Sequence, residues 1–357
     1  MKVLLLSRYG SLGASSRVRY LQYLEIFKAE GWRVEVSPIF SNAYLEALYA
    51  GKGRARETVR GYARRLHALM RARQFDVLII EKELFPFLPA LFERVLARFR
   101  VPYVVDYDDA LFHRYDLHSR AVVRRLLGRK IDAVIRKAAV VVAGNEYLAD
   151  RAREAGAQRI EIIPTVVDME RYQPAMNGSE GPPVVGWIGT PKTSRYLVPL
   201  LPVFEKLRSE MPVRFVAVGA RESDFAGTPV EAWPWTEESE VSSIQKFDIG
   251  IMPLKDSPWE RGKCGYKLIQ YMACGVPVVA SPVGVNTEIV EQGRSGFLAT
   301  TSDEWFTAFK LLLGDSARRY EMGGAGRRNI DAWYSKHVQA PRLIQTIRDA
   351  AGIEGVD

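Results

Sequence analysis

Short apolar runs alternate with amphipathic stretches along the chain. Val3–Ser7, Arg33–Ser37, Phe75–Ile80, Tyr103–Val105, Ala138–Ala143 and Ile160–Ile163 are such runs. Their lack of a polar face is what strands buried on both sides require. Ser16–Glu30 follows helical spacing and stops at Gly31, a residue suited to ending a helix. Strand and helix in alternation predict a parallel sheet covered on both faces. Residues 173–183, QPAMNGSEGPP, are rich in Pro, Gly and Ser and read as a linker. The alternation then restarts with Val184–Ile188, Arg214–Val218, Ile249–Met252, Pro277–Ala280 and Gly296–Leu298. Two α/β domains in tandem are predicted, 1–170 and 184–335, joined by 171–183 and followed by a helical segment 336–357. Ligands of such sheets sit beyond the carboxyl ends of the strands, so a cleft between the domains is the expected site.

One helix departs from a plain packing pattern. Within 54–73, Val59, Tyr62, Ala63, Leu66, Leu69 and Met70 follow i, i+3, i+4 spacing, and Arg56, Arg60, Arg64, Arg71 and Arg73 lie largely elsewhere. The stripe predicts a face packed on the sheet; a helix lying on a membrane surface is the alternative.

Composition narrows the class. Of 357 residues, 47% are apolar and 26% charged, as in ordinary globular chains. The two cysteines, Cys264 and Cys274, make neither a disulfide framework nor a metal-ligand spacing. They read as small buried residues in a reducing compartment. No run approaches the roughly 20 apolar residues that span a bilayer, and MKVLLLSRYG is too short in its apolar part for a signal peptide. A cytoplasmic location is expected. Residues 1–169 carry 29 Lys and Arg against 19 Asp and Glu, within a total net charge of +8. A basic first half attracts phosphates, anionic headgroups or nucleic acid, or is a solvated arginine-rich face. No nucleic-acid-binding motif accompanies it.

The chemistry concentrates in 247–281. After the strand ending near Pro253 comes a polar loop. Gly262-Lys263-Cys264-Gly265 then opens a helix, Tyr266–Ala273, which Gly275 ends. A helix N-terminus attracts anions, and Lys263 and Lys267 add full charge there. These parts suit a diphosphate; an ordinary loop with stray lysines is the bland alternative.

The run KLIQYMACGVPVVASPVGVNTEIVEQGRSGFL resembles the donor-site signature of retaining glycosyltransferase family 4, of the GT-B fold. Ile163–Asp168 with Arg171-Tyr172 resembles its hinge-side motif, and Gly10 and Gly13 its N-terminal glycine loop. The resemblance implies two Rossmann-like domains facing across a cleft, the last helix returning to the first domain. It implies transfer from a UDP- or GDP-linked sugar, a co-substrate rather than a cofactor, with retention and no metal. The acceptor would be a saccharide, in surface polysaccharide or glycoconjugate synthesis; the basic charge of the first half, separately from the resemblance, suggests a lipid-linked acceptor at an anionic membrane surface.

Residue roles follow from that likeness. Lys263, Lys267, Gly265 and the amides of Cys264 and Tyr266 would stabilise the leaving diphosphate. Gln270 and Gly262 stand where the family usually has glutamates, and Glu260 lies two residues before Gly262. Trp187 occupies the usual arginine position, leaving Lys192 or Arg195, with Gly189, to meet the phosphates. Trp235 would pack on the nucleobase, or simply in the core. In the first half, Asp108 aligns with an acceptor-side polar residue and would take the acceptor's proton, with Asp106 and Asp109 beside it. A divalent metal on these aspartates is the alternative chemistry. Gly10, Ser11, Gly13, Arg17 and Glu81 complete the acceptor side, and Arg17 and Arg19, at the start of the next helix, are placed to meet phosphate or are simply solvated. Rival activities are a nucleotide-sugar epimerase and a nucleotide-sugar-binding subunit without turnover.

Overall fold

The computed structural model describes residues 1–175 and 181–352. Part of the predicted linker, 176–180, and the end of the terminal segment, 353–357, lie outside the described residues. Two compact units emerge. The first joins Met1–Thr165 with Gly262–Cys264 and the chain from Gln339 onward; the second joins Val166–Arg261 with Gly265–Val338.

The first unit holds six strands: β1 Lys2–Leu6, β2 Arg33–Val36, β3 Val77–Glu81, β4 Tyr103–Tyr107, β5 Val140–Ala143 and β6 Ile160–Ile162. They pair in the order β2-β1-β3-β4-β5-β6, all parallel. The second unit holds β7 Val184–Ile188, β8 Arg214–Val218, β9 Val230–Trp233, β10 Ile249–Met252, β11 Val278–Ala280 and β12 Gly296–Leu298. Their order is β12-β11-β10-β7-β8-β9, again all parallel. Both sheets are the Rossmann-like layers expected. In β8, Val216 and Val218 enter one core while Phe215 and Ala217 enter another, the two-residue period of a strand buried on both faces.

Strand order fixes where a ligand can sit. In the first sheet it reverses between β1 and β3; in the second, between β7 and β10. At such reversals the connections leave in opposite directions and open a crevice at the carboxyl ends. Arg8, Glu81 and Asp106 stand at the first. Gly189 and the loop running to Gly265 stand at the second.

Two sequence expectations fail here. β9 was not anticipated, because its Val-Glu-Ala-Trp lies between prolines at the sheet edge, where Pro and charge are tolerated. The helix Ala55–Met70 packs only part of the predicted stripe, Tyr62 and Leu69, against the core. It buries Gly61, Arg65 and Ala68 and exposes Val59, Leu66 and Met70. Arg65 is wholly buried and donates to the carbonyls of Ser7 (2.5 Å) and Ser37 (3.1 Å), tying the ends of β1 and β2. Burial pulls its pKa down to about 9. Gly61 permits this packing, since a Cβ there would lie 2.0 Å from the Ile39 carbonyl.

Candidate active site

In the first unit the register of β3 and β4 sets Glu81 beside Asp106. Two carboxylates abreast in a dry sheet are unfavourable unless each is answered by donors or cations. Glu81 accepts the Arg8 N–H (2.8 Å) and the hydroxyls of Ser15 (3.1 Å) and Ser16 (2.5 Å). Asp106, with no exposed surface, takes the guanidinium of Arg19 on two oxygens. Burial raises the pKa of both acids, against the cations beside them.

A second layer follows. Lys82, held at φ 71, places its ammonium 2.7 Å from Asp108 and 3.4 Å from Asp109. Asp108 also accepts the Ser15 hydroxyl at 2.6 Å. Burial pushes its pKa up, but Lys82 and Arg19 outweigh that and hold it at about 2. Glu83 closes the row, paired with Lys130 (2.5 Å) and Arg8 (3.3 Å) and accepting the Tyr115 hydroxyl (2.7 Å). Only Asp109 keeps a substantially open carboxylate, its side chain 32% exposed.

The predicted acceptor-side residues therefore separate. Glu81, Asp106 and Asp108 come together with Lys82, which follows Glu81 in the same predicted cleft-facing turn, and with Arg8, Ser15 and Ser16, which sequence reading gave no role. Arg19, read as a phosphate contact, is spent on Asp106, so that expectation is corrected. Gly10 and Gly13 serve close packing: a Cβ would lie 2.4 Å from Asn42 Oδ1 and 2.2 Å from Tyr9 Cβ respectively. The Ser11 hydroxyl accepts from Asn42 (3.0 Å). Arg17 is half-buried on the helix Ala14–Arg19.

Gly262–Cys264 group with this first unit. The Cys264 thiol is buried and donates to the Asp108 carbonyl at 3.2 Å, and burial raises its pKa. Its side chain is thus directed at the Asp108 carbonyl. A Cβ on Gly262 would lie 2.5 Å from Ala110 Cβ. The Lys263 carbonyl accepts from Asn145 (3.0 Å), and its ammonium lies 4.0 Å from Asp109.

In the second unit the helix Tyr266–Ala273 starts from Gly265 at φ 65 with no side-chain cap. A Cβ there would stand 2.3 Å from Ile289 Cδ1, so both backbone and space require glycine. At the far end Arg327 donates to the carbonyls of Ala273 and Tyr172, a cation where the helix dipole is negative. Lys267 holds its ammonium 5.6 Å above the Trp187 ring. Trp187 thereby supports a lysine from beneath.

Gln270 is buried and donates to the Tyr172 hydroxyl (3.0 Å), which donates to Glu240 and lies 3.3 Å from the Tyr266 hydroxyl. The Trp235 indole N–H also donates to Glu240, at 3.0 Å. The sequence signalled Gln270, Tyr266 and Trp235 but not Glu240, which nothing in its neighbourhood distinguishes. Glu260 is buried and accepts from Tyr196 (2.5 Å) and Ser257. Gly189 donates its N–H to Val218 (3.0 Å). Lys192 and Arg195 are exposed on the chain after it. Among the described residues no cluster of three or more His, Cys, Asp or Glu is placed to hold a metal ion.

Residues 17–165 match the family model described as glycosyl transferase 4-like domain, and 182–315 that of glycosyl transferases group 1. The chain is 25% identical over 229 residues to the sulfoquinovosyl transferase SQD2 of Arabidopsis thaliana, covering 58% of this chain and 43% of that protein. To the D-inositol 3-phosphate glycosyltransferase of Pseudarthrobacter chlorophenolicus it is 24% identical over 197 residues, covering 48% of this chain and 46% of the relative. The matches thus span less than half the length of these curated relatives. In fold, it is similar to sucrose-phosphate synthase from Thermosynechococcus elongatus, with TM-score 0.71, 15% identity and 98% of each chain covered. It is also similar to Anabaena HepE in complex with UDP, with TM-score 0.67, 17% identity, and 98% of this chain and 100% of that one covered.

Proposed function

We propose that this chain, a glycosyltransferase of the group 1 type on the GT-B fold, moves a sugar from a nucleoside diphosphate donor to a saccharide or lipid-linked acceptor. One observation carries the donor side. The helix Tyr266–Ala273 begins at a left-handed glycine without a side-chain cap, and Lys267 stands on it above Trp187. A helix N-terminus beside a lysine stabilises the charge that grows on a leaving diphosphate. Lys263 is the second cation of this proposal, Lys192 and Arg195 its exposed auxiliaries. HepE has been seen with UDP and with UDP-glucose, which favours uridine over guanosine as the base.

On the acceptor side, Asp109 is the group proposed to meet the acceptor hydroxyl. Asp106 has no exposed surface, and Asp108 is locked to Lys82 at a pKa too low for an effective base;. Transfer with retention by front-face attack is part of this proposal. The departing diphosphate oxygen can itself take the hydroxyl proton, so no strong base is demanded. The reading without turnover draws on Glu260, a carboxylate already committed to Tyr196 and Ser257.

Thermal unfolding with UDP, UDP-glucose and GDP tests the donor site. A ligand at 100 times its Kd should stabilise by ~2.7 kcal/mol, and Lys267→Ala should remove most of that. Absence of any shift with all three nucleotides ends the proposal. Mass spectrometry of the acceptor then detects transfer, chromatography that resolves isomers of the donor detects epimerisation, and neither change leaves mere binding.

A further inference from the structure

The exposed large apolar residues are concentrated in the first unit, many of them on three helices that carry arginines but little acid. The helix Leu91–Arg98 shows the pattern best. Leu91 (56% exposed), Val95 (48%) and Phe99 (53%) protrude with Arg94 and Arg98 between them, at positions i, i+3, i+4, i+7 and i+8. Its one acid, Glu93, is buried and accepts the Leu84 N–H at 3.1 Å. The helix Ala121–Leu127 repeats it, with Val122 (68%) and Leu126 (71%) exposed beside Arg124, Arg125 and Arg129, and no acid between Leu117 and Arg129. Val59, Leu66 and Met70 of Ala55–Met70 add a third stripe.

The stripes adjoin. The Arg73 guanidinium stacks 4.4 Å over Phe99, next to the end of Ala55–Met70. Phe87, exposed in the loop after β3, sits edge-on to Tyr115 at 5.6 Å, under Arg114. We infer that this apolar and arginine-bearing face of the first unit docks on an anionic lipid bilayer. The inference rests on the transferase proposal and selects, between its two acceptor classes, the lipid-linked one. Side chains such as Leu91 and Phe99 would enter the acyl boundary while neighbouring guanidinia remain at headgroup level. Phe87 and Leu88 belong to the loop that also carries Lys82 and Glu83, so a docked face holds the Lys82–Asp109 pair beside the headgroups.

Sedimentation with phosphatidylcholine vesicles, with and without phosphatidylglycerol, at low and high salt tests this on the full chain. Binding to the anionic vesicles is expected, and loss at high salt. Arg94→Glu with Arg98→Glu should weaken it about tenfold or more, and Val95→Ser with Phe99→Ser comparably. Tyr320→Ser, exposed in the second unit, should bind as the parent does. UDP-induced thermal shifts on the same samples report folding and the donor site separately, so loss of one function is not mistaken for loss of the other. No partition onto anionic vesicles, or unchanged binding by both double variants, overturns the inference. So does light scattering that shows this face closing a dimer, or capture that depends on an acidic protein.

Discussion

Asp106, Asp108 and Asp109 occupy almost consecutive positions and meet three different environments. Asp106 is sealed against Arg19, Asp108 is locked by Lys82, and Asp109 is the open one. Asp106→Ala strands a buried guanidinium and should cost about 3–5 kcal/mol in urea unfolding. Asp109→Asn should change stability by less than about 0.5 kcal/mol while transfer to acceptor falls; equal activity would remove Asp109 from the site. For Asp108 the sign follows from its depressed folded pKa of about 2. Such an acid stabilises the fold above its unfolded value and loses that contribution as pH falls through the folded one. Asp108→Asn should therefore be less stable than the parent by about 2 kcal/mol at neutral pH, and the gap should close between about pH 4 and about pH 2. A gap that is constant with pH would contradict the Lys82 pairing. The cluster of acids was legible in Val105–Asp109, but the fates were not. Their partners, Arg19 and Lys82, arrive from other elements, and Lys82 reaches Asp108 from a left-handed backbone that no local spacing announces.

Elements were read best where glycine punctuates them. Gly265 and Gly275 bracket the helix Tyr266–Ala273 as the sequence indicated, because both backbone positions lie at positive φ. Gly265→Ala should destabilise by about 1–3 kcal/mol through strain and clash with Ile289. UDP affinity should drop with it, since the amides move. Intact nucleotide binding in a destabilised variant would show that this helix end is structural only. The helix Ala55–Met70 was legible as amphipathic but its orientation only in part, since periodicity identifies a stripe without saying what covers it. Here Arg65 goes inward to the Ser7 and Ser37 carbonyls, which only the folded chain supplies; Tyr62 and Leu69 meet the core, while Val59, Leu66 and Met70 stay in solvent. β9 was lost for a related reason: an edge strand needs only one hydrogen-bonded neighbour and one packed face, so Glu231 and flanking prolines dilute its signal.

At the scale of the whole chain, both sheets were visible because doubly buried strands such as Val77–Ile80 and Val278–Ala280 leave unbroken apolar runs. The glycosyltransferase type was legible through the motif run at 267–298 of the second half. The charge asymmetry pointed to the first half without naming a ligand. The two units make separable demands on a nucleotide. If the second unit alone carries donor recognition, saturating UDP should slow amide hydrogen exchange in Gly189–Arg195 and Gly265–Gln270. Exchange at Arg8–Arg19 and Glu81–Glu83, already held by the buried ion pairs, should stay as it was. The contrast is diagnostic because local opening is governed by each segment's own stability, and a ligand raises that stability where it binds. Protection confined to the glycine loop at Gly10–Gly13 would place the nucleotide in the first unit. The helix Tyr266–Ala273 would then be an ordinary packing element of the second core.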